Sequence, residues 1–202
     1  MWAIILPVIS KEGPKLFLGR WLLMLEHGDD HGKMGIGTAE QHLWTTMFAR
    51  AGIRANISMT QADCGIRSQD CVIPLSIKTS QGGQLAVNWG KNKTKIKFVF
   101  GAYVIIFYHK REKVGKIWKP FESGAYLVDP EWCNANIVLT SNNKSDYIIP
   151  GPKVAEMLAH AKSKGTYHEI VALPDDKTRF VMRDPHTREV FVARKPSKEM
   201  LE

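Results

Sequence analysis

Glu40, Asp63 and Lys78 are the residues of this sequence whose types and spacing could do chemistry together. A carboxylate can hold a hard divalent cation, and a lysine can stabilise negative charge that develops in a reaction. Each also has a simpler explanation. Glu40 would complement the dipole at the start of a helix, Asp63 would be an exposed strand or turn residue, and Lys78 would discourage aggregation at a sheet edge. Only their joint spacing favours a site.

A helix is predicted to carry Glu40. From Thr38 to Ala51 the apolar residues recur at three- and four-residue spacing, which gives a helix one apolar face. Thr38 and Gln41 form a predicted capping box at its start, and Gly52 ends it. The apolar residues of this face are Ala39, Leu43, Trp44, Met47, Phe48 and Ala51.

A hairpin is predicted to carry Asp63 and Lys78. Its strands are Ile53–Ile66 and Cys71–Thr79, joined by a polar turn at residues 67–70. If the turn is centred between Gln69 and Asp70, Asp63 lies directly across from Ser76 and two residues diagonally from Lys78. A slip of one residue would move this set to the other face of the sheet.

The remaining pattern predicts a mixed α/β (α+β) fold in a single domain over residues 1–202, with a C-terminal elaboration over residues 131–202. The apolar run Phe98–Tyr108 is typical of an interior strand that is buried on both faces. The other predicted elements are a core strand at Trp2–Ile9, short strands at Gly124–Val128 and Ile137–Leu139, a helix at Pro152–Lys162, and a hairpin of Arg179–Met182 with Glu189–Ala193.

The order of these elements resembles the PD-(D/E)XK nuclease superfamily, which includes restriction enzymes, homing endonucleases and Holliday-junction resolvases. The resemblance covers residues 35–110, the nuclease-like core. It is carried by a helix with Gly37-Thr38-Ala39-Glu40, by Gln61-Ala62-Asp63 in a strand, and by the segment Val72-Ile73-Pro74-Leu75-Ser76-Ile77-Lys78-Thr79-Ser80. It implies a restriction-endonuclease-like mixed sheet flanked by helices.

The resemblance also implies the roles of the three residues. Asp63 would hold Mg²⁺ or Mn²⁺, Glu40 would hold it directly or through water, and Lys78 would position the attacking water or stabilise the transition state. The sequence departs from the family at Ser76, where an acidic residue or Gln is usual. Either Glu40, Gln61 or Asp70 supplies the missing ligand, or Ser76 ligates through water, or the fold binds nucleic acid without cutting it.

A basic stretch supports DNA as the partner. The chain has 28 Lys and Arg against 20 Asp and Glu, which gives a formal net charge of +8. Between residues 91 and 119, nine basic residues accompany one acidic residue, and they could line a groove that contacts phosphates. A solvated loop and strand end is the alternative. The candidate DNA-binding residues are Lys91, Lys93, Lys95, Lys97, Lys110, Arg111 and Lys113.

Other features narrow the class of protein. Three cysteines (Cys64, Cys71 and Cys133) without a C-x-x-C pair argue against a disulfide scaffold or zinc ribbon, and Cys64 and Cys71 are predicted to be small core residues. No apolar run is long enough to span a membrane, so we expect a soluble, intracellular protein.

The predicted function is a metal-dependent DNA endonuclease, with a homodimer expected because one site per chain cuts one strand. The alternatives are a catalytically inactive nucleic-acid-binding protein on the same fold, and an accessory protein that contacts an acidic partner.

Overall fold

A six-stranded mixed sheet lies at the centre of the protein, with helices on both faces. The computed structural model describes residues 1–27, 33–56, 62–80, 83–89, 101–114, 117–139, 146–172, 179–183 and 190–194. In these ranges the fold is mixed α+β, with the helices α1 (Trp2–His27), α2 (Lys33–Arg50), α3 (Pro130–Asn136) and α4 (Gly151–Ser163). The strands are β1 (Arg54–Ala55), β2 (Cys64–Ser68), β3 (Cys71–Ser80), β4 (Leu85–Trp89), β5 (Tyr103–Val114), β6 (Ile117–Val128), β7 (Val138–Leu139), β8 (Asp146–Ile149), β9 (Tyr167–Ala172), β10 (Arg179–Arg183) and β11 (Val190–Arg194).

The strand order in the main sheet is β1-β2-β3-β5-β6-β9. β3 and β5 are parallel, and the other neighbouring strands are antiparallel. β5 is an interior strand, as its apolar run predicted, although it begins at Tyr103 and residues 98–100 lie outside the described ranges. A second sheet has the order β4-β8-β7, and β10 pairs with β11 in the predicted C-terminal hairpin.

Two hydrophobic clusters pack on opposite faces of the main sheet. Residues of even and odd number alternate between the faces, because successive side chains of a strand point in opposite directions. On β3 and β5, Ile77 and Phe107 belong to the cluster under α1 and α2, whereas Ile106 belongs to the cluster under α3 and α4. The face that a strand residue occupies therefore decides which pair of helices it meets.

The N-terminal segment is helical, so the predicted strand at Trp2–Ile9 is wrong. Ile5 and Ile9, four residues apart on α1, are fully buried against the sheet. A short apolar run cannot be assigned to helix or strand by periodicity alone. Pro7 and Pro14 lie inside α1 and each lacks an N–H for the helix. The burial of the apolar residues on this face offsets that loss.

Helix α2 begins at Lys33, five residues before the predicted start, so the predicted capping box of Thr38 and Gln41 is wrong. Its predicted end is confirmed. Gly52 has φ 72°, the N–H of Ile53 donates to Phe48 O (3.2 Å) and the N–H of Gly52 donates to Ala49 O (2.9 Å). This is a Schellman motif, in which glycine adopts the left-handed conformation at low cost.

The buried face of α2 is rotated relative to the predicted one. Trp44 and Phe48 are fully buried, and the Trp44 ring stacks on Phe107 with centroids 4.2 Å apart. Leu43, which was predicted on the same face, is 45% exposed. Glu40 lies on the buried face, four residues before Trp44.

The hairpin of β2 and β3 has the predicted register. Cys64 pairs with Leu75 and Ser68 pairs with Cys71, which centres the turn between Gln69 and Asp70. Gln69 has φ 45°, a conformation that turns use to reverse the chain. Cys64 is buried as predicted, but Cys71 is exposed, so its assignment to the core was wrong.

The C-terminal half contains the predicted helix α4, and the sequence pattern did not predict β4 before it or α3, β8 and β9 within it. Asp129 begins α3 by accepting a hydrogen bond from the N–H of Trp132. None of the helices in the described part of the chain has the length and apolar content that a bilayer crossing requires.

Candidate active site

Asp63 immediately precedes β2, and its carboxylate replaces a backbone carbonyl as a hydrogen-bond acceptor for β3. The backbone N–H of Asp63 still donates to Leu75 O (2.9 Å), which continues the pairing with β3. One step further along, the N–H of Ile77 donates to Asp63 Oδ2 at 2.5 Å instead of to a strand carbonyl. The Asp63 side chain therefore lies in the plane of the sheet, at the position where the pairing of β2 with β3 ends.

Three side chains, one from α2 and two from β3, converge on Asp63. Gln41 of α2 donates its amide to Oδ1. The Ser76 hydroxyl donates to Oδ2 at 3.2 Å, and Lys78 Nζ lies 3.9 Å from the same oxygen. Asp63 and Lys78 are partly accessible, with side-chain exposures of 17% and 20%. We call Gln41, Asp63, Ser76 and Lys78 the Asp63 site.

Glu40 lies one residue before Gln41 but faces the core. It is 7% exposed, and its Oε2 accepts a hydrogen bond from Thr79 Oγ1 at 3.1 Å. His109 Nε2 lies 3.2 Å and 3.3 Å from the two Glu40 oxygens. Because Glu40 is the eighth residue of α2, the helix dipole, which acts within the first turn, does not explain this carboxylate.

The two carboxylates are anchored to adjoining positions of the same two elements. Gln41 and Glu40 are consecutive on α2, and one contacts Asp63 while the other contacts Thr79 and His109. On β3, Ile77 donates to Asp63 and Thr79 donates to Glu40, with Lys78 between them. Glu40 and Lys78 approach this segment of β3 from opposite faces of the sheet, because Thr79 shares the face of Ile77 and Lys78 shares the face of Ile106, and the Asp63 carboxylate lies in the plane between them.

The structure gives a different result for each of three residues that were predicted as auxiliary ligands: Ser76, Asp70 and Gln61. Ser76 is 1% exposed and already donates to Asp63. Asp70 is exposed in the hairpin turn, six residues from Ser76, which is about 20 Å along a strand. Asp70 therefore does not supply the missing ligand. Gln61 lies outside the described residues.

The donors present fit a hard divalent ion that keeps most of its waters. In the described ranges no group of three or more His, Cys, Asp or Glu side chains is arranged to hold a metal ion. Mg²⁺ usually needs only one or two carboxylates together with substrate phosphates. Asp63 supplies one partly accessible carboxylate.

Cys64, next to Asp63, is not a nucleophile. Burial raises the pKa of its thiol to about 11, the nearby Arg54 lowers it less, and the Asp63 carboxylate adds to the increase. The thiolate is the reactive form of cysteine, so this side chain stays protonated and inert near neutral pH. Cys64 contributes to the site only as a small core residue.

Sequence reasoning missed the partners that hold the carboxylates: Gln41, Thr79, His109 and Ser123. His109 had a detectable signal. It shares parity with Ile105 and Phe107 on β5, so the alternation of a buried strand points it at the core. An inward histidine on such a strand needs a polar partner, and Glu40 was the acidic residue on the facing helix.

The predicted basic residues are described only in part. Lys91, Lys93, Lys95 and Lys97 lie outside the described residues. Lys110, Arg111 and Lys113 are in the second half of β5. Lys78 pairs with Ile106, and Lys110 follows Ile106 by four residues, about 13 Å along the strand. The backbone of β5 therefore leads from the Asp63 site to these basic positions.

Comparisons of the chain with protein-family models, curated proteins and solved structures gave no match. The assignment of a function therefore depends on the chemistry of the site.

Proposed function

We propose that this protein is a metal-dependent DNA endonuclease on a restriction-endonuclease-like fold, with Asp63, Lys78 and Glu40 at its site. The observation that carries the proposal is the pair of Asp63 and Lys78. Their charged groups are 3.9 Å apart, and both side chains are partly open to solvent. Asp63 immediately precedes β2, and Lys78 lies on β3. An exposed ion pair alone would contribute little to stability. The Asp63 carboxylate, however, also lies where β2 begins and accepts three further hydrogen bonds.

Each residue has a role that its position allows. Asp63 would bind Mg²⁺ or Mn²⁺, and its hydrogen bonds from Gln41, Ser76 and Ile77 hold the carboxylate in one orientation. Lys78 would place its ammonium beside the scissile phosphate and stabilise the added negative charge of the transition state. A bound divalent ion polarises the phosphate and generates hydroxide from water. Glu40, which is 7% exposed and lies on the opposite face of β3 from Lys78, would reach the ion through water.

DNA is the proposed substrate because of the charge of the chain and the place of its basic residues. The net charge is +8, and Lys110, Arg111 and Lys113 follow the site along β5. Contacts from such residues to phosphates would hold the duplex without reading its sequence. Since the described part of the chain contains one such site, we propose a homodimer for cutting both strands.

Plasmid cleavage tests this proposal. Purified protein is incubated with supercoiled plasmid and with branched and linear duplexes, in Mg²⁺, Mn²⁺ or EDTA. We expect metal-dependent nicking that Asp63→Asn abolishes and that Lys78→Ala slows by about 100-fold. Asp70→Asn and Lys164→Ala are the matched controls, because Asp70 is on the same hairpin and both residues are exposed away from the site.

The second candidate is a nucleic-acid-binding protein that does not cut. Ser76 favours it, because a buried hydroxyl replaces the acidic ligand that the family usually carries. The same experiment separates the two. Salt-sensitive DNA binding without cleavage of any substrate in either metal would reject the endonuclease and support the silent binder, whereas neither binding nor cleavage would reject both.

A further inference from the structure

A chain of four polar side chains runs through the core beneath α2. Ser123 Oγ lies 3.2 Å from His109 Nδ1, and His109 Nε2 lies 3.2 Å from Glu40 Oε1. Thr79 donates to the other Glu40 oxygen at 3.1 Å. His109 and Ser123 are 0% exposed. We call Glu40, Thr79, His109 and Ser123 the buried network; its members come from α2, β3, β5 and β6.

Stability alone does not account for the buried network. Removing a carboxylate and an imidazole from water costs several kcal/mol each, and a well-packed apolar replacement is often neutral or stabilising. The surrounding positions show what such a replacement would look like. Ile105 and Phe107, on the same strand and face as His109, are apolar and fully buried.

The order of serine, histidine and glutamate resembles a hydrolytic triad, but acyl transfer does not fit. A nucleophilic serine must reach the carbonyl of a substrate. Ser123 is completely buried between β5 and β9 in the sheet, so no substrate can contact its hydroxyl. The buried network must therefore act on a group that lies inside the protein or at its surface.

The network ends beside the Asp63 site. Glu40 precedes Gln41, which donates to Asp63, and Thr79 follows Lys78. Fixing the Glu40 carboxylate to β3 and β5 therefore also fixes the rotation of α2 and the position of Gln41 beside Asp63. Carboxylates that bind metals are commonly held in this way, by hydrogen bonds from a second layer of residues.

We propose that His109 is a positioning residue for the Asp63 site: with Ser123 behind it, it anchors Glu40 and, through α2, holds Gln41 against the Asp63 carboxylate that would bind a divalent cation. This inference rests on the proposed function. His109 itself contacts neither the cation nor DNA. Ser123 fixes the imidazole ring so that Nε2 faces Glu40, and Thr79 fixes the second oxygen of the same carboxylate.

The test is Mn²⁺ affinity, measured by titration calorimetry on folded protein without DNA, so it does not depend on cleavage. His109→Leu removes the contact to Glu40 and is expected to weaken Mn²⁺ binding at least about 10-fold. His109→Gln keeps a donor near the Nε2 position and is expected to retain affinity within about threefold of wild type.

Ile105→Ala is the matched control. Ile105 lies on the same strand and face and is as deeply buried as His109, so this variant loses stability without removing a hydrogen bond of the buried network. We expect it to bind Mn²⁺ like wild type. Ser123→Ala is the second variant if His109→Leu does not fold, and it is expected to weaken Mn²⁺ binding about threefold.

The outcomes separate this inference from the proposed function. If wild type binds Mn²⁺ and cuts DNA while the His109 and Ser123 variants bind Mn²⁺ equally well, the positioning role is wrong and the endonuclease stands. If Ile105→Ala weakens Mn²⁺ binding as much as His109→Leu does, the effect is a general loss of packing and the inference is overturned. If wild type binds no Mn²⁺, both proposals fail.

Discussion

Ser76 donates a hydrogen bond to Asp63 Oδ2 over 3.2 Å from a position that is 1% exposed. The hydroxyl thus lies directly beside the proposed metal-binding carboxylate, at the position where the resembled family carries an acid. Position 76 therefore gives Asp63 a neutral hydrogen-bond donor in place of a second carboxylate. A substitution at position 76 therefore tests how the Asp63 site responds to an added negative charge.

Replacing Ser76 by Asp should make the protein depend on a divalent cation. A carboxylate at the buried position 76 would repel the Asp63 carboxylate beside it, and we expect the free energy of unfolding to fall by about 2 to 4 kcal/mol without metal. Mg²⁺ should then raise the melting temperature of Ser76→Asp more than that of wild type, because the cation neutralises both groups. Thermal unfolding with Mg²⁺ or EDTA measures this. Ser76→Asn is the uncharged control, and an equal Mg²⁺ shift in all three proteins would contradict the expected site.

Trp44 should be far more important to stability than Leu43. Trp44 is fully buried and stacked on Phe107, so Trp44→Ala should lower the free energy of unfolding by about 3 to 5 kcal/mol. Leu43→Ala, at a residue that is 45% exposed, should change it by less than about 0.5 kcal/mol. Urea denaturation of both variants checks the comparison. Similar losses would mean that the buried face of α2 is assigned incorrectly.

Asp129 should contribute to stability in a pH-dependent way. Burial opposes its ionisation, but the hydrogen bonds from the Trp132 N–H and His160 outweigh it, so the pKa of Asp129 is lowered from its ordinary value of 3.8. Since the folded pKa is the lower one, the ionised group stabilises the protein above pH 3.8 and this contribution is lost as the pH falls through the folded pKa.

Asp129→Asn isolates this contribution, because Asn caps a helix about as well as Asp. We expect the variant to unfold more easily than wild type near neutral pH, with the difference disappearing in acid. Urea denaturation from neutral pH to pH 3 measures it. A difference that grows as the pH falls would have the wrong sign for a lowered pKa.

One of the three cysteines should react quickly with thiol reagents. Cys71 is exposed, whereas burial raises the pKa of Cys64 to about 11 and that of Cys133 to about 12. Labelling with iodoacetamide at pH 8, followed by mass spectrometry, should find one modified cysteine in the folded protein and three in urea. Cys71→Ser should abolish the fast reaction. Rapid labelling of Cys64 or Cys133 in the native protein would contradict their burial.

Local chemistry allowed the hairpin and the ends of several elements to be predicted from the sequence. The register of Asp63 opposite Ser76 follows from a short polar turn and from two-residue alternation, which act over a few neighbouring residues. Gly52 ended α2 for an equally local reason, because a left-handed residue is cheapest as glycine. Asp63 and Lys78 could therefore be paired before the structure was known.

Tertiary packing decided the rest. The segment at Trp2–Ile9 is helical because Ile5 and Ile9 bury together against the sheet, which a short apolar run does not reveal. The rotation of α2 likewise depends on Trp44 meeting Phe107, far away in the sequence.

The partner of Glu40 was fixed only by the fold. His109 is 69 residues away in the sequence and comes into contact because β5 lies beside β3 under the buried face of α2. Burial then makes pairing of these groups necessary, since an unpaired charge in the core costs several kcal/mol. The sequence by itself determined that a carboxylate and a lysine share one hairpin, and only the tertiary structure determined which side chains hold the second carboxylate.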